Sequence, residues 1–402
     1  MTAEFLKKVK RGTVELISEE ELAAKLSKKK QLRVKLGVDP TSPDIHLGHT
    51  VALRKLRLFQ DNGHTVVFIV GDFTAQVGDP SGQNKTRPVL SEEQILQNAK
   101  TYTEQVFKIL DRSKTEVVYN STWLKELGIK GLLTLTSKYT VARMLERNDF
   151  SERYKNDVPI TILEFIYPLL QGQDSVAIKS DIELGGTDQK FNLLVGRELQ
   201  RDAGQEPQVV MTLPLLVGTD GVKKMSKSYK NYIALNDTPK DMFGKLMSIP
   251  DDVMKVYYEL LTDFEVKKYE DDISANPRSA KARLAHEIVK QYYGQETADK
   301  EQNDFDNVFS NKQLPLSSDV PQLKALEEEY KALDLLTFCA AELKIKSKND
   351  ARRLIDQGAV EYYDISTLKS LGIMNKDTVI KITEPVMLRA GKKAFCCINP
   401  RK

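Results

Sequence analysis

Two histidines three residues apart, His46 and His49, sit in the run Asp44-Ile-His-Leu-Gly-His49, and three lysines crowd Val222-Lys-Lys-Met-Ser-Lys-Ser228. On the first turn of a helix, residues at this spacing point the same way. The unpaired N–H groups and partial positive charge of a helix N-terminus suit a polyphosphate. Gly48 removes a side chain where a flat base or a ribose could approach the backbone. Taken alone the pattern is short, and its commoner reading is two solvent-facing histidines beside a turn. The lysines follow Leu216-Val-Gly-Thr-Asp-Gly221, whose turn formers predict a mobile loop. Closing over a pyrophosphate, such lysines would supply positive charge where a phosphate bond breaks. A solvated basic loop is the ordinary fate of a lysine run, but Lys-Met-Ser-Lys-Ser is much the more specific of the two patterns.

A third group has the chemistry of an amino-acid site, which needs an acceptor for an ammonium and donors for a carboxylate. Asp79 is a fixed carboxylate in the turn Gly-Asp-Pro-Ser-Gly. Tyr167, Gln171 and Asp174 are spaced to share one helical face, apolar through Phe165 and Leu170 yet carrying three hydrogen-bonding groups. The plainer alternative is a helix with a polar margin.

Elements must hold these groups. Leu32 to Gly37 reads as a strand, ended by two prolines in Val38-Asp-Pro-Thr-Ser-Pro43, and a helix is expected over 47–62. His64 to Gly71 is almost wholly apolar, as in a parallel sheet covered on both faces. Strand, helix and strand in this order make a βαβ unit and an α/β first domain. Ser91 to Gln94 reads as a capping box whose helix runs to about Asp111. Residues 112–165 look mainly helical. Strands at Ser175–Ile178 and Gln208–Leu216 are expected to bracket a helix from about Gln189 to Arg201. Residues 240–332 read as charged and helical without a strand, and 333–402 as a short helix pair followed by strands.

The 402 residues are 41% hydrophobic and 29% charged, an ordinary globular composition that excludes wholesale disorder. No apolar run approaches the ~18 residues of a membrane span. The N-terminal stretch lacks the apolar core of a signal peptide, which predicts a cytoplasmic, reducing setting. Three cysteines support neither a disulfide framework nor a zinc site, and no metal ligands are assigned. Residues 331–402 carry a net charge of +6 and residues 1–330 a net −3. A basic tail on a near-neutral body is the pattern of a nucleic-acid-binding appendage, or of a tail that only aids solubility.

The histidine and lysine patterns, about 175 residues apart on an α/β scaffold, resemble the HIGH-type and KMSKS signatures of class I aminoacyl-tRNA synthetases. Gly37-Val-Asp-Pro-Thr-Ser-Pro, Gly71-Asp-Phe-Thr-Ala-Gln-Val-Gly-Asp-Pro-Ser-Gly82, Tyr167-Pro-Leu-Leu-Gln-Gly-Gln-Asp174 and Gly185-Gly-Thr-Asp-Gln189 resemble the bacterial tyrosyl-tRNA synthetases, from about residue 30 onward. That resemblance implies activation of L-tyrosine with ATP and Mg2+, no organic cofactor, and transfer of the tyrosyl group to the 3′ end of tRNA(Tyr). It assigns Tyr167, Gln171 and Asp79 to the ammonium, Asp174 to the phenol, Gln189 to the reacting carbonyl and Gly37 to the tyrosine pocket. Asp39, Gly48, Gly186, Asp188, Met225 and Ser226 fall to ATP, with Asp188 on the ribose. His46 and His49 fall to the phosphates, and Lys224 and Lys227 to the leaving pyrophosphate. A carboxylate is already a nucleophile at neutral pH, so positioning and charge stabilisation suffice, without a general base.

Three positions depart from the family pattern. Lys35 stands where many members have a second tyrosine on the phenol, Gln83 replaces a lysine after the Asp-Pro-Ser-Gly turn, and Glu183 replaces a glutamine. Lys85 and Arg87 are the candidate replacement cations, with Arg87 counted among the catalytic residues.

In the tail, Ser347 to Asp350 reads as a capping box before a helix carrying Arg352 and Arg353, ended at Gly358. The segment is either an amphipathic helix with solvated basic residues or, by resemblance, an S-four-type RNA-binding module with Lys344, Lys346, Lys348, Arg352 and Arg353 toward tRNA. Cys396 and Cys397 read as packing. The architecture implied is a Rossmann-like doubly wound parallel sheet over 1–230 with a helical dimer-interface insertion near 90–165, and a helical anticodon-binding domain over 231–325. A linker at 326–335 and a small α+β module at 336–402 complete it. The same resemblance implies a homodimer with one tRNA spanning both subunits. Competing readings are a small HxGH nucleotidylyltransferase, a tryptophanyl-tRNA synthetase, and an RNA-binding protein on an inactive scaffold.

Overall fold

The computed structural model describes residues 2–80, 91–309, 320–365, 367, 369–391 and 394–401. The chain forms two compact units, Met1–Glu301 and Gln302–Lys402. In the first, six strands make one sheet: β1 (Glu15–Ile17), β2 (Arg33–Val38), β3 (Thr65–Val70), β4 (Thr115–Tyr119), β5 (Ile182–Gly186) and β6 (Val209–Leu213). Their order is β1-β6-β5-β2-β3-β4. All neighbours are parallel except β1, which runs antiparallel to β6 at one edge. The chain steps from β2 out to β3 and β4, then returns to the other side of β2 for β5 and β6. The sheet is doubly wound, and its switch point lies between β2 and β5, where a crevice opens at the carboxyl ends. Val66 to Val70 are buried on both faces, as their continuous apolar run requires.

The helices of this unit are α1 (Thr2–Lys10), α2 (Glu19–Lys28), α3 (Leu47–Asp61), α4 (Thr74–Val77), α5 (Glu92–Val106), α6 (Ser121–Thr136), α7 (Val141–Met144), α8 (Asn148–Lys155), α9 (Ile162–Ile178) and α10 (Lys190–Asp202). They continue with α11 (Pro239–Met247), α12 (Met254–Leu261), α13 (Glu270–Ala275) and α14 (Pro277–Tyr293), while α15 (Gln295–Phe309) starts in this unit and ends in the second. The expected capping box at Ser91 and Gln94 is formed, although α5 ends at Val106 rather than near Asp111. Helices α11 to α14 share their compact unit with the sheet.

One expected strand is corrected. Ser175–Ile178 is the last turn of α9, not a strand. A capping box between Thr161 and Glu164 starts that helix, its apolar face continues through Leu169, Leu170 and Ile178, and nothing stops it before Lys179 turns left-handed at φ 50°. The strand follows at β5. Residues 112–165 are mainly helical, as expected, but they include one strand, because Thr115–Tyr119 pairs with β3 at the edge of the sheet. Its β-prone composition is short and only half-buried, so the distant partner rather than local pattern decides it.

In the second unit, β7 (Gln322–Lys324), β8 (Glu329–Lys331), β9 (Val360–Asp364), β10 (Ser370–Ile373), β11 (Val379–Lys381), β12 (Val386–Ala390) and β13 (Ala394–Asn399) accompany α16 (Ala332–Phe338) and α17 (Lys348–Asp356). A five-stranded sheet runs β10-β9-β12-β13-β7, and β8 pairs with β11. Strands therefore begin before residue 332, and the stretch expected as a linker at 326–335 contains β8 and the start of α16. Leu335, Leu336, Ile355, Leu388 and Cys396 share the core, while Cys397, on the opposite face of β13, packs with Tyr363 and Met387.

Candidate active site

A cavity of about 1040 Å³ opens at the carboxyl ends of β2 and β5. Its walls bring together Gly37, Asp39, His46, Gly48, His49, Asp79, Tyr167, Gln171, Asp174, Gly186, Asp188, Gln189 and the run Lys224 to Lys227. These residues come from the end of β2 and the loop after it, the start of α3, the loop after β3, the middle of α9, the end of β5 and the turn after it, and the loop after β6. Gln83, Lys85 and Arg87 lie outside the described residues.

At the phosphate end, His46 precedes α3 in extended conformation, and its backbone N–H donates to His49 Nδ1 at 3.2 Å. That bond leaves the His49 Nε2 position to carry the proton in the neutral ring. The two ring centroids are 3.9 Å apart. Burial, the neighbouring ring and Lys227 push His46 down to about 2, and burial and Lys227 push His49 down to about 4. Both imidazoles are neutral donor–acceptors at working pH. His46 Nδ1 is buried without a protein partner, and a Cβ on Gly48 would fall 2.9 Å from it, so only glycine leaves that nitrogen room. The turn is pinned from outside: Leu47 N–H donates to Ile233 O at 3.0 Å, and Leu235 N–H to Ile45 O at 2.8 Å.

The lysine loop folds back on itself. Met225 N–H donates to Leu216 O at 2.7 Å and Gly218 N–H to Lys223 O at 2.8 Å. Asn231 clamps it, accepting from Ser226 N–H at 2.8 Å and donating to Asp220 Oδ2 at 3.0 Å. Lys224 Nζ reaches Asp188 Oδ2 at 3.2 Å, and Lys227 Nζ reaches Ser42 Oγ at 2.5 Å and the Asp44 carbonyl. Both lysines thus bridge the loop to opposite walls of the cleft. Burial lowers Lys227 to about 8.

At the inner end, Asp174 is buried and accepts from Trp123 Nε1 at 2.8 Å and Asn120 Nδ2 at 3.3 Å. Burial raises it to about 6, against the opposing pull of Lys35 and these donors. Asp39 accepts from Thr74 Oγ1 at 2.7 Å and from Tyr167 OH at 2.9 Å. Desolvation, with Asp79 and Asp174 nearby, raises it to about 7. A Cβ on Gly71 would fall 2.1 Å from Asp39 Oδ1, so that residue is glycine to admit the carboxylate. Gln189 Nε2 donates to Asp79 Oδ2 at 2.8 Å, and Asn192 Nδ2 joins Gln171 Oε1 at 3.0 Å to Gln189 Oε1 at 3.2 Å. Among described residues the cavity therefore has a carboxylate-rich inner end and a basic mouth.

The sequence reading did not single out Asn120, Trp123, Thr74 or Asn231. The sole tryptophan of the chain was the one signal that could have pointed to that group. Two of the three departures are joined: Lys35 and Glu183 are register partners on β2 and β5, with Nζ 2.7 Å from Oε1. In the second unit, Lys344, Lys346, Lys348, Arg352 and Arg353 are all exposed, around an α17 capped by Ser347.

The family described as class I tRNA synthetases (W and Y) matches residues 27–310. A tyrosine–tRNA ligase of Aquifex aeolicus is 53% identical over 395 residues, 98% of this chain and 97% of that protein. One from Thermotoga maritima is 52% identical, with 98% and 97% covered. Among solved structures, a tyrosyl-tRNA synthetase from Archaeoglobus fulgidus complexed with L-tyrosine aligns with a TM-score of 0.59 at 25% identity, over 74% of this chain and 99% of that one. A C-terminally truncated mitochondrial tyrosyl-tRNA synthetase from Aspergillus nidulans aligns with a TM-score of 0.64 at 21% identity, over 76% and 94%.

Proposed function

Because the chain belongs to the class I tRNA synthetases for tryptophan and tyrosine, and within them to the tyrosine–tRNA ligases, we propose that the switch-point cavity is where it joins tyrosine to ATP and then to tRNA. One observation carries the assignment of the site. A buried carboxylate, Asp174, closes one end of a cavity whose mouth holds the two histidines and the two lysines.

In the first step the tyrosine carboxylate oxygen attacks the α-phosphate of ATP, forming the acyl–phosphate bond of tyrosyl-adenylate as the bond to pyrophosphate breaks. The second forms an ester to the 3′-terminal adenosine of tRNA and releases AMP. Asp174 accepts the phenol proton, while Tyr167, Gln171 and Asp79 receive the ammonium. Gln189 faces the carboxylate. His46, through its unpartnered Nδ1, and His49, through Nε2, are set for the phosphates, and Asp188 for the ribose. Lys224 and Lys227 transfer from their present partners to the departing pyrophosphate, placing positive charge where negative charge develops. Magnesium enters as part of the ATP substrate, on phosphate oxygens and water.

The insertion supports a homodimer. Ile129, Leu133, Val141, Tyr154 and Ile162 are exposed apolar residues within it, Ile129 by 81% and Ile162 by 73%, and burying them against a second copy would favour an isologous contact. One tRNA would span both subunits, its contacts including the basic face of α17. No helix among the described residues is long and apolar enough to cross a membrane.

Pyrophosphate exchange into ATP, with magnesium and each amino acid in turn, tests the reading without RNA. Exchange with tyrosine alone is expected. Exchange with tryptophan would mean that the pocket around Asp174 is misassigned. No exchange would favour the nucleotidylyltransferase or binding-only alternatives.

A further inference from the structure

Lys35 and Glu183 face each other at the switch point of the sheet, with side chains 0% and 1% exposed. The ammonium uses all three protons: on Glu183 Oε1 at 2.7 Å, Ser175 Oγ at 2.8 Å and the Gln171 carbonyl at 3.1 Å. Ser175 Oγ in turn donates to Glu183 Oε2 at 3.0 Å, and Gln208 Nε2 donates to the same oxygen. The pair is fully satisfied, yet stability does not explain it. Burying two charges costs about as much as their attraction returns, and two apolar side chains would hold β2 against β5 as well.

Its position suggests another use. Gln171 and Ser175 bound the turn of α9 that carries Asp174, and Lys35 grips that turn at both ends. Lys35 does not line the cavity, whereas Asp174 and Gln171 do. The groups facing Asp174 can be named element by element: Lys35 from β2, Glu183 from β5, Asp39 after β2 and Tyr167 from its own helix, with the neutral donors Asn120 and Trp123 at the start of α6. Lys35 is the one cation among them. Three acidic or acid-coupled neighbours and burial favour a protonated Asp174, and Lys35 opposes them.

We propose that Lys35, held by Glu183, is a positioning and specificity residue for the phenol end of the site: it fixes the Gln171–Ser175 turn on the sheet and supplies the buried positive charge against which Asp174 remains a carboxylate. The proposal rests on the assignment of this cavity to tyrosine. A carboxylate strongly penalises an apolar ring that leaves it unpaired, and a neutral carboxyl penalises it less. Removing the cation should therefore weaken discrimination between tyrosine and phenylalanine, not only tyrosine binding.

The test is tyrosine- and phenylalanine-dependent pyrophosphate exchange from pH 5 to 8 for wild type, Lys35→Met, Glu183→Gln and Lys35→Arg. In Lys35→Met the acid limb of kcat/KM for tyrosine should move up by about one pH unit. On the acid side of the limb, near pH 5, the tyrosine-to-phenylalanine ratio should then fall about ten-fold, the equivalent of one pKa unit, and the loss should shrink toward pH 8. In Glu183→Gln the limb should move down, because an acid is lost and the cation stays. Lys35→Arg, which keeps the charge, should lie nearer wild type than Lys35→Met. A structural role alone would lower activity in both single variants without moving the limbs in opposite directions. Unmoved limbs and an unchanged ratio would overturn the proposal while exchange by the wild type left the tyrosine assignment standing. No tyrosine exchange by the wild type would instead overturn that assignment. If Lys35→Met fails to fold, Glu183→Gln decides: a limb moved down supports the proposal, and an unmoved one overturns it.

Discussion

Lys224 Nζ lies 3.2 Å from Asp188 Oδ2, so a lysine of the loop after β6 is paired with the carboxylate proposed for the ribose. Nucleotide binding must exchange this pair for contacts with ATP, which makes the lysine available as pyrophosphate leaves. Lys224→Met should lower kcat for tyrosine-dependent exchange by roughly 10²-fold, the usual loss for one charge-stabilising donor. The KM for tyrosine should stay within about two-fold, since Lys224 acts at the other end of the cavity. Steady-state kinetics over both substrates would check this, and a rise confined to the tyrosine KM would place Lys224 wrongly.

The pH profile of exchange should be bell-shaped, and neither limb should belong to a histidine. His46 at about 2 and His49 at about 4 are neutral throughout the working range. Asp174, at about 6, must be ionised to accept the phenol, so kcat/KM for tyrosine should fall as pH drops below that value. Lys227, at about 8, must be protonated to meet pyrophosphate, so activity should fall as pH rises through it. Lys227→Arg should carry the alkaline limb beyond the measured range, because a guanidinium does not deprotonate there. An alkaline limb that persists unchanged would remove Lys227 from the mechanism.

Much of this site is legible in the sequence because it is local. His46 and His49 share a helical turn, Tyr167, Gln171 and Asp174 share a helical face, and Lys224 and Lys227 share a loop. Segments of that kind reveal themselves by spacing. What joins them does not: Tyr167 meets Asp39 across 128 residues, and Trp123 meets Asp174 across 51. Lys35 and Glu183 read as two separate oddities, because only the β2–β5 register shows them to be one pair. The same physics governs the fold. The covered strand β3 announces itself by its apolar run, whereas the edge strand β4 is set by its pairing with β3 and hides among helices. The last turn of α9, rich in β-prone residues, follows the helix that precedes it.

Asp39 illustrates what the site costs the fold. Its carboxyl is raised to about 7 in the folded chain, from the usual value near 4 in an unfolded one. A group with a raised carboxyl pKa binds more protons folded than unfolded between those values, so its contribution makes stability fall as pH rises from about 4 to 7. Asp39→Asn removes that dependence while keeping an acceptor. The stability gap between variant and wild type should widen in favour of the variant by on the order of 2–3 kcal/mol from pH 5 to pH 7.5, while exchange activity declines. Urea unfolding at the two pH values measures it, and a gap that does not change with pH would mean the carboxyl is not held in this state.

The basic face of the second unit gives a prediction that separates RNA binding from the chemistry of activation. Arg352 and Arg353 project from α17 and are exposed, and the Arg353–Asp350 contact at 3.2 Å is a surface pair of little energetic weight. Such arginines are either solvated or phosphate ligands, and salt dependence distinguishes the two. Each phosphate neutralised contributes about 0.7–0.9 to the slope of log affinity against log salt. Replacing both arginines by glutamate should weaken tRNA binding at all sequences alike, reduce that slope by roughly one to two, and leave pyrophosphate exchange, which needs no RNA, at its wild-type rate. Filter binding across a salt series, with exchange measured on the same preparations, supplies both readouts. Unchanged affinity and slope would reduce the α17 face to a solubilising surface, and a loss of exchange alongside tRNA binding would show damage to the whole chain rather than to an RNA contact.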